Sequence, residues 1–504
     1  MYYENKPAPG RRRKARLRRT AAAAALTLLL APPAALAAPY NGYMYDAWNQ
    51  PVPAPMGYLP ELSFGGATLG TVEMKTPSDL FVDAAGTVYI ADTGNNRVLC
   101  LSPELELQRI LDTVVDEDGA QQPLESPSGL FADGEGGLYV AQKDKGQVIR
   151  LDPQGRIAAR FAQPVSELIP ENFVFAPSKV LVNRNGTVFV LVDGFYLGAL
   201  TYDGDGNFLG FYGSNRVEVT VKLLADYLWK QLLSQKQKDQ MARYVPVQYT
   251  NFDIDGENFI YTCTQTTRTS LNEIRKINTL GNDVLIPYPR NVESATGNYG
   301  DLQTAWFMGQ STDTQFVDIC VDADGMINGL DFSRGRIFQY DSEGKLLTIA
   351  GGSGDQLGLF EKPAAIDDLG EKLLVLDAAK NTVTVLAPTA YGRLLHQGIL
   401  LYNEGEYAQA KTVWEEVLAR NVNCELAYVG LGKAYYEAGD YAAAMEAFEY
   451  GYDREGYSRA YKEYRTVLLR RYFPYIMTGL AAAALAGLVF FGVRRRKRKA
   501  GEDR

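Results

Sequence analysis

The sequence predicts an all-β propeller of six blades, followed by a small α-helical module and one apolar helix. Three observations support this prediction. A strand–turn–strand unit with a polar turn rich in Asp, Asn and Gly recurs six times between residues 58 and 388. The spacing of apolar residues then changes from alternate positions to every third or fourth position. An uncharged apolar stretch follows at 475–493.

Residues 1–37 have the layout of a secretory signal peptide. The basic run "RRRKARLRR" at 11–19 precedes an apolar stretch that is too short to span a bilayer, and "ALA" at 35–37 offers small residues for cleavage. An uncleaved membrane anchor is the alternative. We expect a linker at 38–57, between the signal peptide and the propeller.

Each copy of the repeat reads as an apolar strand, a polar turn, a β-branched strand, a second polar turn and a third strand. The first two copies contain "SDLFVDAAGTVYIADTGNNRVLCL" and "SGLFADGEGGLYVAQKDKGQVIRL". Strands at this short spacing are typical of an all-β repeat protein. Because one such sheet cannot bury both faces, six sheets arranged radially give a propeller. The turn landmarks of the copies are Asp83, Asp133, Asn183, Asp255, Asp322 and Asp367.

The ring is predicted to close through a strand from its N-terminal end. "PELSFGGATLGTVEMKTPSDL", ahead of blade 1, has the same layout as "LLTIAGGSGDQLGLFEKPAAI", ahead of blade 6. We therefore expect residues 61–64 to supply the outer strand of the last blade. The propeller is then predicted to span 58–388.

The first blade resembles the NHL-repeat propellers, and this resemblance implies the same fold. The matching residues of blade 1 are Pro77, Asp79, Asp83, Gly86, Asp92, Asn95, Asn96 and Arg97, and those of blades 2, 5 and 6 are Pro127, Gly129, Asp133, Asp331, Arg336 and Pro363. Asp and Asn satisfy backbone donors in such turns, and Arg97 has the reach to bridge to the next blade. We therefore predict a structural role for the turn at 92–97.

Residues four positions before each turn landmark are expected to form a ring near the mouth of the central channel. They are Asp79, Gly129, Lys179, Asn251, Asp318 and Pro363. The side-chain oxygens of Asp79, Asn251 and Asp318 suit a hard cation such as calcium, or a polyol. Asp79, Lys179, Asn251 and Asp318 are the candidate ligand-binding ring, but a hydrated polar lining that binds nothing specific is the favoured interpretation. The sequence predicts no cofactor, and calcium is the one ion to consider.

Two insertions decorate the predicted ring. In the first, 222–246, leucines at helical spacing form one face, and Trp229 and Leu233 lie off that face. The second, 288–316, is aromatic and polar and contains Trp306. We predict that these three residues contact a protein partner, because long insertions in a repeat fold are often functional. A helix that only caps the propeller is the alternative for the first insertion.

Two helical segments after residue 388 align at an offset of 34 residues, which pairs Gly398 with Gly432 and Trp414 with Phe448. This pattern is similar to tetratricopeptide repeats. The resemblance implies two repeats at 389–456, and a capping helix is expected at 457–474. The module is predicted to be either a rigid stalk or a groove for a partner segment. His396, the only histidine, is expected on the helix surface.

Residues 475–493 are predicted to form a transmembrane helix, since a span needs about 20 apolar residues. The basic tail at 494–504 places the C-terminus in the cytoplasm by the positive-inside rule. We therefore predict a single-pass cell-membrane protein whose propeller and helical module are extracytoplasmic.

Composition and motifs exclude several classes of function. The net charge is −9 although basic clusters lie at both ends, so the acidic body is unsuited to nucleic acid. The four cysteines, Cys100, Cys263, Cys320 and Cys424, have no zinc-ligand spacing and are expected to be buried. No GxSxG, HExxH or phosphate-binding loop is found, and no catalytic residue is predicted.

Two hypotheses for function remain. The first is a non-enzymatic, membrane-anchored, extracytoplasmic binding or scaffold protein. The alternative is a calcium-dependent propeller hydrolase of the lactonase kind, for which Asp79, Asn251 and Asp318 are the candidate residues. The whole layout resembles a Gram-positive surface protein family found beside ABC-type transporter components. That resemblance implies an accessory role in transport, with a transporter subunit or a solute-binding protein as partner.

Overall fold

The computed structural model describes residues 38–166, 169, 173–195, 198–213, 248–264, 273–285, 299–302, 305–307 and 310–502. The predicted signal peptide at 1–37 and the insertion at 222–246 lie outside the described residues, as does much of the insertion at 288–316.

The strands form six radial sheets, which confirms the predicted propeller. Ahead of blade 1 lie β1 (Tyr43–Tyr45), β2 (Pro51–Pro53) and β3 (Tyr58–Phe64). Blade 1 contains β4 (Asp79–Val82), β5 (Val88–Asp92), β6 (Arg97–Leu101) and β7 (Leu107–Leu111), and the hairpin of β8 (Thr113–Val115) and β9 (Gln121–Pro123) follows it. Blade 2 contains β10 (Pro127–Ala132), β11 (Leu138–Gln142), β12 (Gln147–Leu151) and β13 (Ile157–Ala162). Blade 3 contains β14 (Pro177–Val182), β15 (Val188–Val192), β16 (Ala199–Tyr202) and β17 (Phe208–Tyr212).

The remaining blades include one with three described strands. Blade 4 contains β18 (Tyr249–Ile254), β19 (Ile260–Thr264) and β20 (Ile274–Ile277), and the hairpin of β21 (Ala305–Phe307) and β22 (Gln310–Thr312) follows it. Blade 5 contains β23 (Phe316–Val321), β24 (Ile327–Asp331), β25 (Arg336–Tyr340) and β26 (Leu346–Gly351). Blade 6 contains β27 (Pro363–Leu369), β28 (Lys372–Asp377) and β29 (Thr382–Pro388), and its fourth strand is β3.

Pairing of β3 with β29 closes the ring, as predicted. The register aligns Phe64 with Val383 and Tyr58 with Pro388, so the closing strand begins at Tyr58, ahead of the predicted residues 61–64. Because β3 comes from the N-terminal end of the propeller and β29 from its C-terminal end, backbone hydrogen bonds join the two ends of the ring.

The recurring Asp of the repeat makes one kind of turn in most blades. In blade 1, Asp83 Oδ1 accepts hydrogen bonds from the backbone N–H groups of Ala85 and Thr87 at 2.9 and 2.8 Å. Gly86 takes a φ of 82°, a conformation that favours glycine. The same pair of hydrogen bonds is made by Asp133, Asn183, Asp255 and Asp322. Turn chemistry therefore explains why Asp and Gly recur.

Five helices follow the propeller in the described chain: α1 (Ala390–Asn403), α2 (Tyr407–Arg420), α3 (Glu425–Glu437), α4 (Tyr441–Tyr450) and α5 (Arg454–Glu502). The first four pack as two helix pairs. A Cβ on Gly398 would lie 2.8 Å from the Trp414 ring, and one on Gly432 would lie 2.6 Å from the Phe448 ring. These glycines thus let the paired helices approach, as expected from the sequence. The assignment to tetratricopeptide repeats stays a prediction.

The helical module packs on the propeller face where the inner strands end, which we call the module face. Met326 and Leu347 of blade 5 share a buried cluster with Leu395 of α1 and Trp414 of α2. His396 Nε2 forms a hydrogen bond of 2.7 Å with Gln339 Oε1 of blade 5. The prediction that His396 lies on the helix surface is therefore wrong, because α1 lies against the propeller. Burial lowers the pKa of His396.

The segment predicted as a linker, 38–57, contains the hairpin of β1 and β2, which contacts the propeller. The hydroxyl groups of Tyr43 and Tyr45 donate to Asp301 Oδ1 at 2.5 and 2.8 Å. Arg334 and Arg336 form ion pairs with Asp301 Oδ2. The carboxylate is 2% exposed, so this cluster holds the hairpin on the propeller through a buried charge.

The same hairpin also contacts the helical module. The backbone N–H of Ala47 donates to Glu425 Oε1 at 2.7 Å, and Asn423 Nδ2 donates to the Pro53 carbonyl oxygen at 3.1 Å. The ring centroids of Trp48 and Tyr452 lie 5.0 Å apart. The β1–β2 hairpin therefore braces the propeller against the module.

Helix α5 continues through Pro474, and its apolar segment at 475–493 is exposed. By length and composition this helix is able to cross a membrane.

Candidate functional site

The six inner strands surround a channel, and equivalent positions on them form a first ring. Each member pairs with a residue of the second strand of its blade, as Asp79 does with Ala91 and Asp318 with Leu330. The members are Asp79, Gly129, Lys179, Asn251, Asp318 and Ala365. The predicted sixth member, Pro363, is wrong. In blade 6 a two-residue turn after Leu369 joins β27 to β28. The predicted turn landmark, Asp367, therefore lies within the strand, and the ring member is Ala365, two residues after Pro363.

A second ring lies two residues further along each inner strand, because alternate residues of a strand face the same side. Its members are Phe81, Phe131, Leu181, Asp253, Cys320 and Asp367. Residues of both rings line one cavity. The sequence analysis missed Asp253 altogether and treated Asp367 as a turn landmark. The alternation of the inner strands was the available signal for both.

Carboxylates of the first ring join neighbouring blades through backbone hydrogen bonds. Asp79 Oδ2 in blade 1 accepts the N–H of Leu130 in blade 2 at 2.7 Å. Asp318 Oδ2 in blade 5 accepts the N–H of Ile366 in blade 6 at 2.7 Å. Each carboxylate therefore ties its own strand to the next inner strand around the channel.

The second ring repeats this arrangement at the other blade junctions. Asp253 Oδ2 in blade 4 accepts the N–H of Val321 in blade 5 at 2.7 Å. Asp367 Oδ2 in blade 6 accepts the N–H of Val82 in blade 1 at 2.6 Å, across the closure of the ring. The channel carboxylates thus have a structural role that their positions in the sequence do not reveal.

Lys179 reaches across the channel from blade 3 to blade 1, where its ammonium group forms an ion pair with Asp79 Oδ1. Blade 2, which lies between them, contributes Gly129 at this level and so places no side chain in the way. A Cβ on Gly129 would lie 2.7 Å from the Lys179 Cα. Burial lowers the pKa of Lys179, but the nearby carboxylates of Asp79 and Asp318 outweigh burial and raise it above its ordinary value. The ammonium group therefore stays charged.

Asn251 and Asp318 complete the polar part of the first ring. Asn251 Nδ2 donates to Asp318 Oδ1, which also accepts the N–H of Ile319 at 2.8 Å. Asn251 Oδ1 accepts the N–H of Phe252 at 2.8 Å. Burial raises the pKa of Asp318 to about 7, although Lys179 acts in the opposite direction. All four predicted ring residues thus line the channel, and their role as a ligand site stays a prediction.

Carboxylates gather at the end of the channel nearest the module face. Burial raises the pKa of Asp253 to about 6 and that of Asp367 well above its ordinary range. Burial and the neighbouring carboxylate of Asp322 raise the pKa of Asp368 to about 7. Burial therefore moves the titration of the carboxyl groups at this end of the channel towards neutral pH.

The channel cavity is small, at about 30 Å³, which is room for roughly one or two water molecules. A calcium ion takes 6–8 oxygen ligands. The oxygens of Asp79, Asn251 and Asp318 already accept backbone or side-chain donors, and the charged ammonium group of Lys179 lies among them. Within the described chain, no group of three or more His, Cys, Asp or Glu residues is arranged to hold a metal. The first ring therefore does not fit calcium.

The turn at 92–97 has the contacts of a structural element. Asp92 accepts the N–H of Lys75 at 2.7 Å and pairs with Arg97 Nε at 2.6 Å. Arg97 Nη2 donates to the Val72 carbonyl oxygen at 2.5 Å, so it binds the connection from blade 6 and not the following blade.

One of the three predicted partner-binding residues, Trp306, lies among the described residues. Trp229 and Leu233 lie outside the described residues. Trp306 belongs to β21, whose backbone pairs with β22.

The four cysteines are free and buried, as expected. Burial raises the pKa of Cys100 to about 11 and that of Cys263 to about 12, so these thiols are poor nucleophiles.

Comparison with known proteins gives similarity to one described family over part of the propeller. The family model for the SMP-30/Gluconolactonase/LRE-like region matches residues 80–180. The match covers nearly all of blade 1, all of blade 2 and the beginning of the inner strand of blade 3. No curated protein matches the chain.

Solved structures give low similarity over the propeller. Virginiamycin B lyase from Staphylococcus aureus is 11% identical, with 65% of this chain and 98% of that chain covered and a TM-score of 0.38. A protein classed provisionally as a gluconolactonase is 10% identical, with 69% and 98% covered and a TM-score of 0.37. A streptogramin B lyase is 12% identical, with 62% and 78% covered and a TM-score of 0.36. Values of this size do not identify an activity.

Proposed function

We propose that this chain is a non-enzymatic, membrane-anchored binding or scaffold protein with an extracytoplasmic propeller. The backbone hydrogen bonds that the channel carboxylates accept from neighbouring blades carry the proposal. Asp79, Asp253, Asp318 and Asp367 each accept a backbone N–H from the next blade. A general acid or base must lie within hydrogen-bond reach of the proton that it transfers, and its position must be free to adjust to the substrate. Carboxylates held in this way suit bracing of the ring better than proton transfer.

The packing of the helical module on the propeller supports a role in which the opposite propeller face is available to a partner. The β1–β2 hairpin and the buried cluster around Leu395 hold the module on one face of the propeller. Helix α5 leaves that module and carries the apolar segment at 475–493. With this segment in a bilayer, the opposite propeller face, where the inner strands begin, is presented away from the helices. This favours the stalk interpretation of the module.

The partner that fits the proposal is a transporter subunit or a solute-binding protein, contacted through Trp229, Leu233 and Trp306. The test is a pull-down of the full-length protein from membranes in mild detergent, with partners identified by mass spectrometry. We expect stoichiometric recovery of such a protein, and loss of it with W229A/L233A or W306A. W48A is the matched control, since Trp48 is 64% exposed and lies on the hairpin. Recovery of the chain alone would contradict the partner proposal.

A hydrolase of the lactonase kind is the second candidate, and the family match over residues 80–180 is the observation that favours it. The purified full-length chain is to be assayed for lactone hydrolysis with calcium and with a chelator. The scaffold proposal predicts no rate above the buffer background. A calcium-dependent rate that D318N abolishes would instead establish the hydrolase.

A further inference from the structure

We propose that the ammonium group of Lys179 is the built-in cation of the channel, so that the propeller closes without a bound metal ion. This role differs from the predicted ligand-binding role of Lys179. It concerns how the ring holds its carboxylates together.

The first step of the argument is position. Lys179 is 9% exposed and projects from blade 3 into the cavity that Asp79, Asn251 and Asp318 also line. Its ammonium group contacts Asp79 Oδ1, on the far side of the Gly129 gap. A hard cation in this cavity would have to approach the same oxygens.

The second step is charge. Asp79 and Asp318 are 4% and 2% exposed, and buried carboxylates are costly unless a counter-charge lies nearby. Among the described residues that line the cavity, Lys179 is the one with a basic side chain. The carboxylates cannot move away from each other, because each is tied to a neighbouring blade by a backbone hydrogen bond. The ammonium group therefore supplies the neutralisation that a bound cation would otherwise provide.

The first test is a thermal-unfolding cycle on the full-length protein in detergent, with metal chelated. K179M is expected to lower the Tm by roughly 5–10 °C, because it leaves Asp79 and Asp318 without a counter-charge. In the D79N background, the same K179M change is expected to raise the Tm, because there the buried ammonium group has lost its nearest partner. An equal fall in both backgrounds would overturn the proposal, since it would mean that Lys179 acts by packing alone.

An exposed ion pair provides the matched control. Lys143 and Asp193 form the same kind of contact in blades 2 and 3, but their side chains are 44% and 43% exposed. K143M is expected to shift the Tm by less than about 2 °C in either the wild-type or the D193N background. This cycle remains informative even if K179M alone fails to fold, because D79N and D79N/K179M are compared directly.

The second test uses calcium chloride as the probe. The Tm of the wild-type chain is expected to be the same in a chelator and in 5 mM calcium, on the order of a saturating concentration for a weak site. K179A removes the ammonium group but keeps the backbone hydrogen bonds to Asp79 and Asp318, so calcium is expected to leave the Tm of this variant unchanged as well. Calcium stabilisation of the wild-type chain would overturn the proposal, because a bound metal ion would then contribute to closing the ring.

Discussion

Asp368, the neighbour of the channel residue Asp367, illustrates how one buried carboxyl group responds to pH. It lies near the carboxylates of Asp253, Asp322 and Asp324 on the module face, and burial together with these charges raises its pKa to about 7. An Asp in the unfolded chain has a pKa of about 3.9. Between these values the folded protein keeps a proton that the unfolded chain has lost. The contribution of Asp368 to the free energy of unfolding is therefore most favourable below about pH 4, and it is lost as the pH rises through 7.

We predict that D368N removes much of this pH dependence. At pH 8 the variant is expected to be more stable than the wild type by about 1–3 kcal/mol, because an ionised carboxylate no longer faces its neighbours. At pH 4 the two should be similar. Urea unfolding at both pH values measures the difference, and D118N, at an exposed turn, is the control. If the wild-type chain were more stable than D368N at pH 8, the predicted direction of the effect would be wrong.

At the scale of elements, one buried carboxylate joins the β1–β2 hairpin to the propeller. Asp301 accepts hydrogen bonds from Tyr43 and Tyr45 and forms ion pairs with Arg334 and Arg336. We predict that D301A lowers the free energy of unfolding by about 3–5 kcal/mol, because two guanidinium groups lose this counter-charge. Limited proteolysis should then cut within 38–57, whereas D118N should stay resistant. Unchanged proteolysis of D301A would show that other contacts hold the hairpin.

The helix pairs make a second prediction at this scale. G432A is expected to cost about 1–3 kcal/mol, because its Cβ would lie 2.6 Å from the Phe448 ring. The matched control is G479A, another glycine-to-alanine change in a helix, where nothing lies within 4 Å of the added Cβ. Thermal unfolding by circular dichroism compares the two. An equal effect of both changes would mean that α3 and α4 do not pack as described.

At the scale of the whole molecule, the propeller and the helical module share one buried cluster. Leu395 is fully buried between them, with Met326 on the propeller side. We predict that calorimetry of the wild-type chain shows one unfolding transition for both parts. L395A should lower stability by about 2–5 kcal/mol, and the protection of amides in both parts should fall. Two separate transitions in the wild-type chain would show that the parts unfold independently.

Much of this architecture was predictable because the responsible signals are local. The Asx turns at Asp83 and its equivalents depend on residues within four positions, so each blade carries its own signature. The closing strand was also predictable, because the segments ahead of blades 1 and 6 have the same layout, although the strand begins at Tyr58 and not at residue 61. The glycine–aromatic contacts of the helix pairs were also predictable, because the same glycine and aromatic positions recur at an offset of 34 residues.

The errors arose where the outcome depends on distant residues or on register. His396 looked like a surface residue because its helix was considered without the propeller against it. Pro363 was placed in the ring because the short turn of blade 6 shifts the register, and this is visible only in the strand pairing. Asp253 and Asp367 had a local signal, since each lies two residues beyond a first-ring member on its strand. Their role in joining blades had none, because their partners, Val321 and Val82, belong to other blades.

The sequence by itself determined the number of blades, the closing strand, the helix pairs and the apolar helix, because hydrophobic period and turn chemistry act over a few residues. Only the tertiary structure decided what the channel residues do. Lys179 and Asp79 are 100 residues apart in the chain, and their ion pair exists because radial packing brings blades 1 and 3 to the same axis. The same holds for the hairpin at 38–57, whose tyrosines meet Asp301 only after the ring has closed.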